Sequence, residues 1–290
     1  MTRGLRAALA RLVNARMRGT SLVLLFDYDG TLVPIVEHPS MAMLGTETRY
    51  RLEQLALTPS IFVGVLSGRA IDDLRDRVGI EGAYYAGTSG LELSFGRMAL
   101  VQPERARAVP LVAAVVTPIR HAIAGYAGAW LEQKPLGLTV HYRGVAASQG
   151  EALRTDVADA IRPFRGTLRV VDGVMAIEIA PDLGWTKGTA LRMIVEHVGG
   201  TAVLPLYAGD DANDADALLA ATDLGGIAIG IGARAPSFAR YRLPNAKSLG
   251  CVLEVLLDMV DSGVGRFRRS NSEPAMPTTR CDVDDTGRRS

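Results

Sequence analysis

Four apolar runs, SLVLLF (21–26), IFVGVL (61–66), AVLPLYA (202–208) and LGGIAIGI (224–231), restrict this chain more than any other feature. None alternates polar with apolar residues, so each needs cover on both faces. That is the setting of a strand inside a parallel sheet flanked by helices. Helical patterns lie between or after them, near 46–56, 71–78, 186–198, 214–221 and 248–260. Strands alternating with helices predict an α/β fold with a doubly wound, Rossmann-like parallel sheet. Ligands of such sheets gather beyond the carboxyl ends of the strands.

The middle of the chain breaks this rhythm. LELSFGRMALV (91–101) predicts a hairpin around 96–97, followed by a helix near 108–125. Two short strands, AWLEQK and LGLTVHYR, a helix at 148–162 and two more strands, GTLRVV and VMAIEIA, come next. A hairpin pair, a helix and a second hairpin pair predict a smaller α+β cap domain inserted at 105–184. The core is then split into 1–104 and 185–262. From 263 to 290 the chain is polar, aperiodic and carries two prolines, which predicts a disordered tail. At the other end, MTRGLRAALARLVNARMRG has arginines and no acid, as a transit peptide would. Leu5, Leu9 and Leu12 recur at helical spacing, however, and favour a first amphipathic helix.

Bulk properties narrow the partners. A formal net charge of +1 gives no basic field for nucleic acid. Cys251 and Cys281 are the only cysteines, far apart, which is neither a disulfide framework nor a zinc signature and suits a reducing compartment. No run reaches the roughly 18 uncharged apolar residues of a membrane span. The expectation is a cytoplasmic protein with no nucleic-acid or membrane partner. Its oligomeric state is open and compatible with a monomer.

Chemistry-bearing residues sit at the ends of the core strands. Asp27-Tyr28-Asp29-Gly30-Thr31 follows the first, and Ser67-Gly68-Arg69 follows the second and opens a helix. Lys187 stands at another helix start, and Gly209-Asp210-Asp211-Ala212-Asn213-Asp214 follows the third run. Taken one at a time, each is a turn or a capped helix start. Jointly they are not explained by capping, because a parallel sheet gathers these ends on one edge. Two carboxylates about 5 Å apart repel by roughly 3 kcal/mol at an effective dielectric near 20. Such a cluster calls for a counter-charge, and a hard divalent cation such as Mg2+ supplies it through oxygen ligands. Lys187, Ser67 and the backbone amides of the Gly30-Thr31 turn and the Ser67-Gly68 helix start can hold a phosphate. Cation, phosphate cradle and a free carboxylate together equip a site for phosphoryl transfer through an aspartyl-phosphate.

D-x-D-G-T, S-G-R, a lone lysine and G-D-D-x-x-D, in that order, resemble the haloacid-dehalogenase superfamily of phosphohydrolases. The resemblance covers 21–262, including the place of the inserted cap. It implies Asp27 as nucleophile and Mg2+ ligand, and Asp29 as the acid that protonates the leaving oxygen and then activates water. Asp29 would meet the cation through its backbone carbonyl. Ser67 and Lys187 would bind the phosphoryl group, and Asp210 would ligate the cation with Asp211 or Asp214 in support. Because Asp29 must hold a proton while Asp27 is ionised, a drier, unliganded setting is expected for it.

Specificity then falls to the cap. Glu132 and Lys134 are two apart, as are His141 and Arg143, and strand periodicity puts each pair on one side, with Glu178 on a third strand. A polar sheet face is either solvated or turned towards the site, where carboxylates accept from sugar hydroxyls and cations donate. These stretches, with DYDGTLVPI, YYAGTSGLEL and GDDANDADAL, resemble trehalose-6-phosphate phosphatases. That precedent puts Glu132, Lys134 and Glu178 on the disaccharide; Arg69, His141 and Arg143 are expected as further substrate contacts. It implies Mg2+-dependent hydrolysis of trehalose 6-phosphate, with cap hinges expected near 103–105 and 181–186. Two positions depart from the family pattern. Thr88-Ser89-Gly90 replaces Asn/Glu-His-Gly, which is expected to alter the sugar pocket, and Ala215 replaces an acid. The alternatives are a phosphatase of another phosphorylated sugar, of sucrose-phosphate or mannosyl-phosphoglycerate type, or a non-catalytic sugar-phosphate-binding regulator. Neither G-x-G-x-x-G nor G-x-x-x-x-G-K-[ST] occurs, against a nucleotide-binding module.

Overall fold

A computed structural model describes residues 1–95, 98–101, 104–200 and 202–270. The first strands are β1 (Ser21–Phe26), β2 (Ile61–Leu66), β3 (Tyr84–Gly87), β4 (Glu92–Phe95) and β5 (Met98–Val101). Next come β6 (Trp130–Lys134), β7 (Gly137–His141), β8 (Leu168–Gly173) and β9 (Ala176–Pro181). The last are β10 (Val203–Gly209), β11 (Ile227–Ile231) and β12 (Tyr241–Leu243). The helices are α1 (Arg3–Met17), α2 (Thr46–Leu57), α3 (Ile71–Val78), α4 (Arg105–Ile123) and α5 (Gly150–Ile161). They are completed by α6 (Lys187–Val198), α7 (Ala215–Asp223) and α8 (Ala246–Ser270).

The apolar runs form the middle of a sheet ordered β12-β11-β10-β1-β2-β3-β4-β5. Strands β12 to β3 run parallel, and the β4–β5 hairpin adds an antiparallel edge, so the sheet is mixed rather than wholly parallel. The tip of that hairpin, 96–97, lies outside the described residues. In β1, Leu22, Leu24 and Phe26 pack with Leu9 of α1, Leu52 of α2, Leu74 of α3 and Leu253 of α8. Val23 and Leu25 face the opposite way, onto Leu191 of α6 and Leu218 of α7. Each such side chain contributes about 1.5–3 kcal/mol on full burial, which is why the run tolerates no polar residue. Strands β3 and β12 went unanticipated: four and three residues long, they show no period of their own and are recruited by neighbours already in place.

The second sheet, β6-β7-β9-β8, is antiparallel. Val112, Val115 and Ile119 of α4 and Leu153 and Val157 of α5 cover one face, against Leu138, Val140, Ile177 and Ile179. By length and composition α4 alone among the described helices could cross a membrane, yet its apolar stripe is spent on this sheet. The other face carries Glu132, Thr139 and Glu178 in a single cross-strand row. Helix α8 runs to Ser270, past the expected start of a tail at 263. Residues 271–290, and the hinge position 103, lie outside the described residues.

Candidate active site

The turn after β1 is fixed by its backbone. Asp27 N donates to Ala208 O at 2.9 Å, prolonging the β1–β10 ladder, while Leu32 N and Val33 N both donate to Tyr28 O. Gly30 has φ +92°, and a side chain there would run into the Asp210 carboxylate from the end of β10. Glycine therefore does two things at this point: it turns the chain and lets two acidic motifs touch.

Lys187 is fully buried at the start of α6, where Thr186 and Thr189 form a capping box. Its Nζ donates to Asp27 Oδ1 (2.6 Å), Asp214 Oδ1 (2.7 Å) and Asn213 Oδ1 (3.3 Å). Asp214 also accepts from Tyr207 OH at 2.6 Å and, on Oδ2, from the amides of Asp210 (2.9 Å) and Asp211 (3.1 Å). With both oxygens so occupied, Asp214 braces Lys187 and the Asp210 turn. One ligand oxygen from each of Asp27, Asp210 and Asp214 lies within 4.8 Å of the other two.

The charges do not balance locally. Burial drives Asp27 well above the usual carboxyl range; Lys187 opposes this while Asp214 and Asp210 reinforce it. Asp210 is pushed up to about 7, by burial first and then by Asp214, with Arg234 pulling the other way. Burial opposes the charge on Lys187 as well, but Asp214 and Asp27 outweigh it and raise its pKa. A hard, oxygen-lined cluster with surplus negative charge fits a divalent cation. Thr31 points the same way: its Oγ1 is the one buried side-chain polar atom without a partner among the described residues.

Asp29 and Asp211 are not drawn into this cluster. The Asp29 carboxylate pairs with Arg69 through Nε (2.6 Å) and Nη2 (2.7 Å), and its side chain is 36% exposed. The drier, unliganded setting expected for Asp29 is thus replaced by a bidentate ion pair. Arg69, expected on the substrate, is committed to Asp29, to Asp73 (2.8 Å) and to Pro39 O (2.9 Å). Burial opposes its charge, and the bonds to Asp29 and Asp73 more than offset that. Asp211 caps the following turn through Ala212 N (2.7 Å) and lies 3.5 Å from Arg234 Nε.

The polar face of the second sheet lies over these strand ends. Asp27, Asp29, Ser67, Gly68 and Arg69 line the floor of a cleft of ≈ 470 Å³, and Glu132, Lys134, His141, Arg143 and Glu178 line its roof. Lys134 Nζ donates to Gly68 O (3.0 Å) and Thr139 Oγ1 (2.9 Å), joining roof to floor. A Cβ at Gly68 would come within 2.7 Å of Glu178 Oε1. His141 Nε2 lies 2.8 Å from Glu132 Oε2, and although burial opposes it, this contact and Lys134 hold Glu132 below the usual carboxyl range. Trp130 stacks on His141 (4.0 Å) from its own sheet and on His38 (5.2 Å) from the loop after β1.

A family model described as Trehalose-phosphatase matches residues 25–244. The chain belongs to the trehalose-phosphatase family. The trehalose-phosphate phosphatase of Mycobacterium tuberculosis (strain ATCC 25618 / H37Rv) is 38% identical over 199 residues, 66% of this chain and 49% of that protein. Its counterpart in Mycobacterium leprae is 35% identical over 216 residues, 70% of this chain and 49% of that protein. The chain thus spans about half the length of the curated relatives it matches. Among solved structures, the C-terminal domain of C. albicans trehalose-6-phosphate phosphatase aligns with TM-score 0.77 at 20% identity, covering 87% of this chain and 98% of that one. A haloacid dehalogenase-like hydrolase from Bacteroides thetaiotaomicron aligns with TM-score 0.57 at 17% identity, covering 83% and 99%. These two share the fold.

Within this trehalose-phosphatase fold, Thr88 and Ser89 are not among the residues that line the cleft. Both residues are buried, and they hold left-handed φ of 44° and 54°. Thr88 N donates to Arg69 O (2.7 Å) and Ser89 N to Ser67 O (2.8 Å), so the segment clamps the Ser67–Arg69 turn from behind. Sequence reasoning missed His38, Trp130, Thr139 and Arg234. Thr139 was recoverable, lying two residues before His141 on the same face. Arg234, three residues past β11, was recoverable from its place beyond a core-strand end.

Proposed function

We propose that the protein hydrolyses trehalose 6-phosphate to trehalose and phosphate in a Mg2+-dependent reaction. The observation that carries this reading is the buried Lys187 bridging Asp27 and Asp214 beneath a roof whose cross-strand row of Glu132, Thr139 and Glu178 sets Glu178 against Gly68. A cleft of ≈ 470 Å³ also falls within the roughly 300–1,000 Å³ of small-molecule sites. Asp27 attacks phosphorus, the bond from phosphorus to the sugar oxygen breaks, and Asp29, protonated on leaving its ion pair with Arg69, gives that oxygen its proton. Asp29 then takes a proton from water, the resulting hydroxide attacks the aspartyl-phosphate, and phosphate leaves as the Asp27 carboxylate is restored. Arg69 pairs with Asp29 in its ionised form, while Ser67, Lys187 and the Gly30-Thr31 and Ser67-Gly68 backbone hold phosphoryl oxygens. Asp27 and Asp210, with the Asp29 carbonyl, would hold Mg2+, and Asp211 and Asp214 support them. Bound there, the cation would neutralise the acidic cluster and polarise the phosphoryl group. Glu132, Lys134 and Glu178 accept from and donate to the sugar hydroxyls, with His141 and Arg143 at the rim.

Phosphate release is to be measured from trehalose 6-phosphate beside glucose 6-phosphate, sucrose 6-phosphate and p-nitrophenyl phosphate, with Mg2+ and with EDTA, using Asp27→Asn as the blank. Mg2+-dependent preference for trehalose 6-phosphate that vanishes in the blank is the expected result. Preference for another ester would reassign the substrate. Binding without turnover would replace the enzyme with a sugar-phosphate-binding regulator.

A further inference from the structure

Arg234 lies outside the machinery just described, yet it touches that machinery directly. It follows Gly232, which has φ +71°, in the loop after β11. Its guanidinium donates through Nη2 to Asp210 Oδ2, and its Nε lies 3.5 Å from Asp211 Oδ2. Unlike Lys187, which is sealed in, the Arg234 side chain is 44% exposed. It borders a second cleft of ≈ 610 Å³, lined also by Gly30, Asp210, Lys247 and Arg51.

We propose that Arg234 is a built-in counter-ion that competes with the divalent cation for the Asp210 carboxylate and so sets how tightly the metal is held. This rests on the reading that Asp27 and Asp210 bind the cation. Whatever protons the acids of the cluster hold, a bound divalent cation adds two positive charges to what the guanidinium faces at Asp210 and Asp211. Its attraction to the cluster is therefore greater in the metal-free protein, whether or not it moves. By reciprocity of linked binding, a group held more tightly by the metal-free state must weaken metal binding. Arg234 thus keeps the empty acidic cluster folded at the cost of affinity, and the metal site is exchangeable by design of its charges. A residue that merely oriented Asp210 would have the opposite effect, since loss of such a partner weakens metal affinity by about 10–100-fold.

The test is titration of the whole protein with Mn2+ by electron paramagnetic resonance and with Mg2+ by calorimetry, for the unaltered protein, Arg234→Gln and Arg234→Lys. Arg234→Gln is expected to bind both cations on the order of tenfold more tightly. Its metal-free form should melt lower than the parent, and its melting temperature should rise further on adding Mg2+. Arg234→Lys should fall between the two. Equal or weaker cation binding by a folded Arg234→Gln would overturn the proposal and leave the metal reading standing. Absence of cation binding by the unaltered protein would remove both.

Discussion

Thr31 and Asp210 separate what folding needs from what the site needs. The Thr31 hydroxyl is buried without a partner, so its removal relieves a desolvation cost and leaves no former partner unpaired. Thr31→Val is expected to leave the melting temperature unchanged or raised while lowering phosphatase activity about tenfold or more, a combination that a packing role would not give. Asp210 supplies a pH signature. Its folded pKa, about 7, sits above the ordinary 3.8, so the folded state holds the extra proton between those values. The metal-free protein should therefore lose stability through this group as pH rises from about 4 to 7. Thermal melts of Asp210→Asn in EDTA should lack that component, and saturating Mg2+ should suppress it in the parent. Most of these residues were legible in the sequence because short motifs at strand ends name their own chemistry. Arg69 was legible as a position but not as a role. Its pairing with Asp29 and Asp73 depends on a loop and a helix packing together, which no spacing in the chain encodes.

At the scale of elements, the β6-β7-β9-β8 sheet acts through register. Glu132, Thr139 and Glu178 share one row, and a slip of one residue in β7 would turn Thr139 and His141 towards α4 and α5. Gly68 is the matching feature of the floor, since the Glu178 carboxylate occupies the space a side chain would need. Gly68→Ala is expected to raise KM for the sugar phosphate by about tenfold or more with the fold intact, read by steady-state kinetics beside circular dichroism. Period and length made β1, β2, β10 and β11 readable in advance, along with the cap strands. β3 was not readable because YYAG is held by its neighbours rather than by a pattern. The buried role of Thr88-Ser89 stayed hidden for a related reason: a left-handed backbone at a β-branched residue is imposed by surroundings, against local preference.

At the scale of the whole molecule, the question is how roof and floor meet. The His38–Trp130 stack and the Lys134 bond to Gly68 O are two contacts that span the cleft, from opposite ends of the β6 strand. His38→Ala is expected to raise KM about two- to tenfold with kcat little changed, the range an aromatic pair commands. In a Trp185→Phe background Trp130 is the sole tryptophan, and its emission should shift when His38 is removed. Unchanged KM and unchanged emission would rule out a contribution of this stack to closure. The strand order carries a last consequence, for synthesis. β1 is flanked by β2, made soon after it, and by β10, which begins at Val203. While the ribosome works through the intervening stretch, this apolar strand of the nascent chain has one edge bare and one face waiting for α6 and α7. The inserted module can complete its own core during that delay, but the first half of the larger one cannot. Such an unpaired central edge invites off-pathway pairing between chains. The yield of this protein in a cell should therefore depend on chaperone supply and elongation rate more than its finished stability would suggest.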